Sequence, residues 1–399
     1  MSNLKSNRSS SAKLDLKANG PKIIQQMFEH AGVRLNGDAP SDMQIHDNIF
    51  FQKMFTKWEL GIGESYMDGD WDSEQLDEFF FKITSHDLEQ TVVGPAKIRF
   101  FLEILRQKFF NLQTEGRAFQ VGEQHYDIGN DLFECMLDSN LMYSCGYWEH
   151  AKNLEEAQQH KLELICRKLE LKPGERLLDI GCGWGGLARY AAEKYQVEVV
   201  GVTISKEQQK LAQERCIGLP VTISLTDYRE LTGEFDKIVS VGMFEHVGAK
   251  NYATYFDVVG KLLKPNGLFL LHTIGNHVTE KRRDVWLDKY IFPNGHLPSA
   301  KQISCALEGR FLIDDWHNFG RDYDLTLMAW WENFDKAWPT LKDKYGERFY
   351  RMWKYFLLSS AGFFRSGQGQ LWQIVLSKRG RPITYRSVRG AAETEQVQA

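Results

Sequence analysis

The stretch between residues 176 and 274 limits the possible folds more than any other part of the chain. Short apolar runs at 176–181 (RLLDIG), 197–204 (VEVVGVTI), 221–225 (VTISL), 237–244 (KIVSVGMF) and 267–274 (GLFLLHTI) alternate with segments of helical periodicity at 185–194, 206–216 and 250–263. Strands that are apolar on both faces, separated by helices, belong to a parallel sheet covered on both sides. Two further apolar stretches, 311–319 and 370–378, read as strands flanking a helical, Trp-rich segment at 322–360. The expectation is an α/β fold with a Rossmann-like sheet of seven strands, mostly parallel, and a helical lid.

The turn after the first of these strands is Gly181-Cys182-Gly183-Trp184-Gly185-Gly186. Glycines at a strand-to-helix junction permit a tight turn and bring backbone N–H groups close to a ligand at the helix N-terminus. The spacing satisfies GxGxxG, yet a dinucleotide site also needs an acid about 20 positions on, at the end of the second strand. That strand ends Gly201-Val202-Thr203-Ile204-Ser205, and the first acid after it is Glu207, in the following helix. Instead an acid, Asp179, stands just before the glycines. A carboxylate there attracts a cationic, phosphate-free ligand and would repel a pyrophosphate. This arrangement resembles the first motif of class I S-adenosylmethionine methyltransferases. A glycine turn with no ligand is the plainer alternative, and a dehydrogenase a remote third.

The remainder of the chain is less constrained. Residues 21–31, 47–58 and 73–86 have helical spacing, the last two around a loop, GIGESYMDGDWD, and Asn36-Gly37 marks a turn. A helix at 154–170 opens with an Asn153-x-x-Glu156 capping box. The segment 95–112 is a basic amphipathic helix, which fits either an anionic bilayer surface or a seam between two domains. Residues 1–19 and 381–399 read as polar tails, 20–118 as a small, mostly helical N-terminal domain with possible lipid contact, and 119–380 as the catalytic domain. The net charge of −4 argues against a nucleic-acid coat protein. No apolar run reaches the roughly 18–20 residues of a spanning helix, so any membrane contact is expected to be peripheral. The six Cys form no CxxC pair and no metal-ligand pattern, so reduced thiols in a cytoplasmic protein and no metal site are expected. Aromatic residues make up 13% of the chain, and seven of the 11 Trp lie between 286 and 372.

Several longer segments narrow the reading. Gln124–Phe133 (QHYDIGNDLF), Leu141–Trp148 (LMYSCGYW), Leu178–Gly186 (LDIGCGWGG), Val241–Gly248 (VGMFEHVG), Leu271–Gly275 (LHTIG), Lys289–Gly295 (KYIFPNG) and Asp322-Tyr323-Asp324 ahead of Leu327-Met328-Ala329-Trp330 resemble the cyclopropane-fatty-acyl-phospholipid synthases. The resemblance runs from about residue 20 to 380, and GESYMDGDWD is similar to the bacterial phospholipid enzymes, which carry an extra N-terminal domain. It implies a class I methyltransferase sheet and methylene transfer from S-adenosylmethionine to a cis double bond of an unsaturated phospholipid acyl chain. The intermediate is a carbocation, and a bound bicarbonate removes the proton as the ring closes. The resemblance places that bicarbonate on Cys145, Glu245, His272, the Ile274 backbone and Tyr323. It places the cofactor on Tyr143, Ser144, Asp179, the turn at Gly181, Gly183 and Gly185, Thr203 with Gln208, and Asp227-Tyr228, with Gln208 standing in for the missing ribose carboxylate. It further implies a homodimer, peripheral to the inner membrane, and gives the aromatic surplus a task in walling an acyl-chain slot and facing the cation.

Taken singly, these residues have ordinary readings: Cys145 as a small core residue, Glu245-His246 as a surface pair, His272 as a satisfied core histidine, Tyr323 as packing. One departure stands out. Where several bacterial members have Cys before an Ala-Gly pair, this chain has Ser360 before Ala361-Gly362, so no thiol nucleophile is expected there. The alternative function is a methyltransferase that places a plain methyl on a lipid or amine.

Overall fold

The computed structural model describes residues 24–86, 129–279 and 284–390. The tail 1–19, the 95–112 helix and residues 124–128 of the first family segment lie outside the described residues. Residues 24–30 are helical and lead into β1 (Gln44–Ile45), α1 (Ile49–Lys57), α2 (Glu59–Met67), β2 (Trp71–Asp72) and α3 (Leu76–Thr84). After α4 (Asn130–Met136) and α5 (Leu154–Lys168) the chain alternates β3 (Arg176–Ile180), α6 (Gly186–Tyr195), β4 (Glu198–Thr203), α7 (Lys206–Arg215), β5 (Val221–Leu225), β6 (Phe235–Val241), α8 (Tyr252–Leu262) and β7 (Leu263–Asn276). It closes with α9 (Val285–Tyr290), α10 (Ala300–Leu307), β8 (Leu312–Asn318), α11 (Asp322–Tyr345), α12 (Glu347–Arg365) and β9 (Gly369–Ser377).

β3 to β9 form one seven-stranded sheet in the order β5-β4-β3-β6-β7-β9-β8. β3, β4, β5, β6 and β7 are parallel, and β9 runs antiparallel between β7 and β8. Side-chain alternation splits the core as a two-residue period requires. Leu178, Ile180 and Ile238 pack against α8 and α10 on one face. Leu177, Val199 and Val239 pack against α5, α6 and α7 on the other. The strand order reverses between β3 and β6, and in open α/β sheets ligands bind outside the strand carboxyl ends at such a reversal. Asp179 sits there, level with Val239 on β6 and Gly201 on β4.

A third core joins the N-terminal segment to α4, α11 and α12, and most of the Trp crowding is spent on it. Trp286, Trp330 and Trp353 are wholly buried. Trp353 stacks on Phe349 with centroids 5.6 Å apart, and Trp286 lies 4.5 Å from Tyr355. The stretch expected as the loop GIGESYMDGDWD is largely helix α2. Its glycines allow close approach: a Cβ on Gly61 would lie 2.1 Å from the Lys53 carbonyl oxygen, and one on Gly63 would lie 2.3 Å from the Trp286 ring. Gly362 does the same where α3 crosses α12, since a Cβ there would meet the Phe81 amide nitrogen at 2.5 Å. Residues 381–390 are also tied down where a polar tail was expected: Arg389 bonds both oxygens of Asp315 at 2.5 and 2.6 Å, and Gly390 donates to the Tyr147 hydroxyl. Among the described residues no helix is long and apolar enough to cross a membrane.

Candidate active site

A cleft opens at the carboxyl ends of β3, β4 and β6. Its floor is the glycine turn, where Gly181, Gly183 and Gly185 all have positive φ (85°, 54° and 78°), a conformation that penalises any side chain. Gly186 opens α6 so close to the 138–144 loop that a Cβ would stand 2.2 Å from the Asn140 carbonyl oxygen. Tyr143, Ser144, Asp179, Gly181, Gly183, Thr203, Gln208, Asp227 and Tyr228 line this one cleft. Gly185 is the exception, its open side facing Ala212 and the Cys216 sulfur at 3.2 and 3.3 Å.

The electrostatics divide the cleft in two. Asp179 is buried with its Oδ2 unpartnered, and burial pushes its carboxyl up to about 7. A cation brought beside it would ionise it. At the other end Asp227 is also buried, which opposes ionisation, but a bidentate pair with Arg229 (2.8 and 2.7 Å) and the Arg229 backbone N–H hold it below the usual carboxylate range. Between them Thr203 donates to Gln208 Oε1 at 2.8 Å, and Ser205 caps α7 by accepting from the Gln208 N–H. Gln208 is thereby held at the rim, its amide nitrogen available to a ligand hydroxyl.

Outside the cleft lining, a cluster of buried side chains, called the chamber below, gathers the remaining candidates. Glu245 follows β6 in a short 3₁₀ turn, and its Oε1 accepts the Ile274 N–H at 2.6 Å. Its Oε2 is buried without a partner, and burial, against the Ile274 bond, pushes the carboxyl up to about 7. His272, on β7, is 1% exposed with Nε2 unpartnered. Burial first, then the ammonium groups of Lys161 and Lys168, pushes its imidazole well below its usual value, so the ring is neutral. Tyr323, near the start of α11, stacks on Phe364 at 4.4 Å. Burial first, then Cys145 and Glu245, raises its phenol, and it shares a backbone hydrogen bond with Cys145. The Cys145 thiol is wholly buried, its ionisation opposed chiefly by burial, and it donates to the Gly146 carbonyl. Tyr143 lies between cleft and chamber, 5.2 Å from the Trp330 ring centroid and 5.1 Å from that of Phe133.

Sequence reasoning missed four contributors. Arg229 and Asn251 also line the cleft. Lys161 is fully buried and donates to Ser144 Oγ at 2.9 Å, with burial lowering its ammonium to about 8. Its signal was present: Leu154, Ala157, Lys161, Ile165 and Lys168 share the buried stripe of α5, and a lysine on an apolar face is unusual. Gln373, on β9, carried no local signal at all.

The sheet order, the glycine turn and the acid at the end of β3 define a class I S-adenosylmethionine-dependent methyltransferase. Residues 113–374 match the family described as mycolic acid cyclopropane synthetase, and the chain belongs to this family of cyclopropane synthases. It is 56% identical over 357 residues to the cyclopropane-fatty-acyl-phospholipid synthase of Escherichia coli strain K12, covering 90% of this chain and 93% of that one. Among solved structures it is similar to the cyclopropane synthase MmaA2 from Mycobacterium tuberculosis, with TM-score 0.63 and 31% identity over 67% of this chain and all of the other. It is also similar to the mycolic acid cyclopropane synthase CmaA1 complexed with SAH and CTAB, with TM-score 0.61 and 32% identity over 65% of this chain and 98% of that one.

Proposed function

We propose that the chain transfers a methylene group from S-adenosylmethionine to a cis double bond of an unsaturated phospholipid acyl chain, leaving a cyclopropane ring. The observation that carries this reading is the chamber beside the cleft. Simple methylation of an amine or hydroxyl needs no enclosed set of hydrogen-bond donors, whereas ring closure needs a base held where water is excluded.

The residues fit both small groups. The cleft offers the closely approachable backbone of the glycine turn, the Asp179 carboxyl and Gln208 to S-adenosylmethionine. The chamber offers an anion the neutral Glu245 carboxyl through Oε2, the His272 Nε2 and the Tyr323 hydroxyl, with the Lys161 cation behind them. S-adenosylmethionine supplies the methyl carbon, and bicarbonate, when bound, supplies the base for the proton released as the ring closes. The Ile274 N–H orients Glu245 by holding Oε1, which aims Oε2 into the chamber. Lys161 fixes Ser144 and with it the loop that carries Tyr143 and Cys145. The aromatic faces of Tyr143 and Trp330 stabilise positive charge on the acyl chain.

The same reading assigns 119–380 as the catalytic domain and 20–118 as a helical annex, supported by a family match that starts at residue 113. It takes the enzyme to be a cytoplasmic homodimer working peripherally on the inner membrane. The deciding measurement is mass spectrometry of lipids from cells expressing the chain. The expected product has gained one CH₂ per chain and takes up no hydrogen under conditions that saturate alkenes. A saturated, methyl-branched product would overturn the cyclopropane reading in favour of plain methylation.

A further inference from the structure

We infer that Gln373 is a positioning residue that fixes the tautomer of His272, so that the imidazole meets the anionic base of the reaction as a hydrogen-bond donor. The inference rests on the bicarbonate reading of the chamber. β7 and β9 are antiparallel neighbours, and their register sets Gln373 directly across from His272. Both side chains are buried, at 0% and 1% exposure. The Gln373 Nε2 stands 3.3 Å from the His272 Nδ1. An amide NH₂ can donate and cannot accept, so Nδ1 must be the unprotonated nitrogen of the pair. A neutral imidazole has a single N–H, which therefore resides on Nε2, the atom left without a partner in the chamber.

The chemistry of the surroundings favours this form. Also unpartnered are Oε1 of Gln373, turned away from the ring, and Oε2 of Glu245, whose carboxyl is pushed up to about 7 by burial and in its protonated form can also donate. Two buried donors backed by the Lys161 cation bind an anion more strongly than a neutral acceptor, because each bond is then charge-assisted. The opposite amide orientation would set Oε1 of Gln373 against an Nδ1–H and turn an Nε2 lone pair toward that anion. Lone pair and anion repel, so anion binding selects the donor tautomer. A glutamate in place of Gln373 would reverse the preference, because a carboxylate accepts from Nδ1–H and fixes the other tautomer.

The test uses the full chain labelled with ¹⁵N-histidine, the His272 signals being assigned by their loss in His272→Phe. In the unsubstituted protein with bicarbonate, Nε2 should be protonated and Nδ1 bare. Gln373→Glu should reverse the two and raise the bicarbonate concentration for half-maximal turnover about tenfold, leaving S-adenosylhomocysteine affinity unchanged. Gln373→Met, which fills the space without a donor, should raise the bicarbonate requirement likewise. A protonated Nδ1 in the unsubstituted protein would overturn the inference, as would an unchanged bicarbonate requirement in Gln373→Met. The stated tautomer together with turnover indifferent to bicarbonate would overturn the bicarbonate reading and keep Gln373 as the residue that orients His272.

Discussion

The cofactor cleft and the chamber beside it are built by opposite means. The cleft is mostly backbone: three left-handed glycines in one turn, a helix N-terminus, and polar side chains at the ends of adjacent parallel strands. The chamber is mostly side chains, brought from the 138–148 loop, the turn after β6, β7, the first turn of α11 and the middle of β9, with one backbone group, the Ile274 N–H. In the cleft one carboxylate, Asp227, is ionised by its arginine and the other, Asp179, awaits a cation. In the chamber burial opposes the charged form of each titratable group, Glu245, His272 and Tyr323. One region therefore suits positive charge and, on the function proposed above, the other suits an anion, with the aromatic rings of Tyr143 and Trp330 close to both.

That division can be broken experimentally. Glu245→Ala removes both the oxygen that accepts from Ile274 and the group that would hold the anion, so turnover should fall about 10³-fold with S-adenosylhomocysteine affinity kept within about twofold; steady-state rates beside calorimetry check both. Parallel losses of rate and affinity would dissolve the distinction between the regions. Gly186→Val drives a side chain into the Asn140 backbone, which cannot yield cheaply, and should weaken cofactor binding about a hundredfold. Here rate at saturating cofactor, if it can be reached, should recover most of its value. Asp179→Asn should lower S-adenosylmethionine affinity about tenfold, by isothermal titration, and at the same time raise stability in the cofactor-free state. The folded-state pKa of Asp179 is raised from 3.8 to about 7, so its stabilising proton is fully in place below 3.8 and is lost as pH rises through 7. The variant's melting temperature should therefore exceed that of the parent by on the order of 2–4 °C at pH 8, and the gap should close near pH 4. A gap that widened on acidification would mean that Asp179 is paired. Ser360→Cys should change turnover by less than about twofold, because the half-buried Ser360 lies on α12 beside the α3 crossing and no chemistry is assigned to it. A marked rise in rate would bring a thiol back into consideration.

The same contrast explains what could be read from the sequence. The sheet was legible because each buried parallel strand is a contiguous apolar run; β5, expected over 221–225, spans Val221–Leu225. The cleft was legible because a turn, its acid and its glycines sit within a few residues of each other. The chamber was legible only through family resemblance, since Cys145, Glu245 and Tyr323 come from three separate segments and no periodicity links them. Gln373 escaped altogether: it pairs with His272 across 101 positions, and the register of an antiparallel pair joined by so long a connection leaves no local trace. The α2 error has a different origin. Gly61 and Gly63 look like loop residues, yet each is required where a helix presses against a neighbour with no room for a methyl group.

The antiparallel placement of β9 also has a consequence for how the enzyme is made. β9 enters the sheet between β7 and β8 and, among the described residues, is the last strand to leave the ribosome and the one that completes the sheet. A nascent chain that has emerged only as far as α8 already holds every residue that lines the cofactor cleft, but a domain folds as a unit. His272 then waits, across α9, α10, β8 and both long helices, for the strand that orients it. A chain that ends before β9 lacks Gln373, and with it the side chain that meets His272 across the sheet.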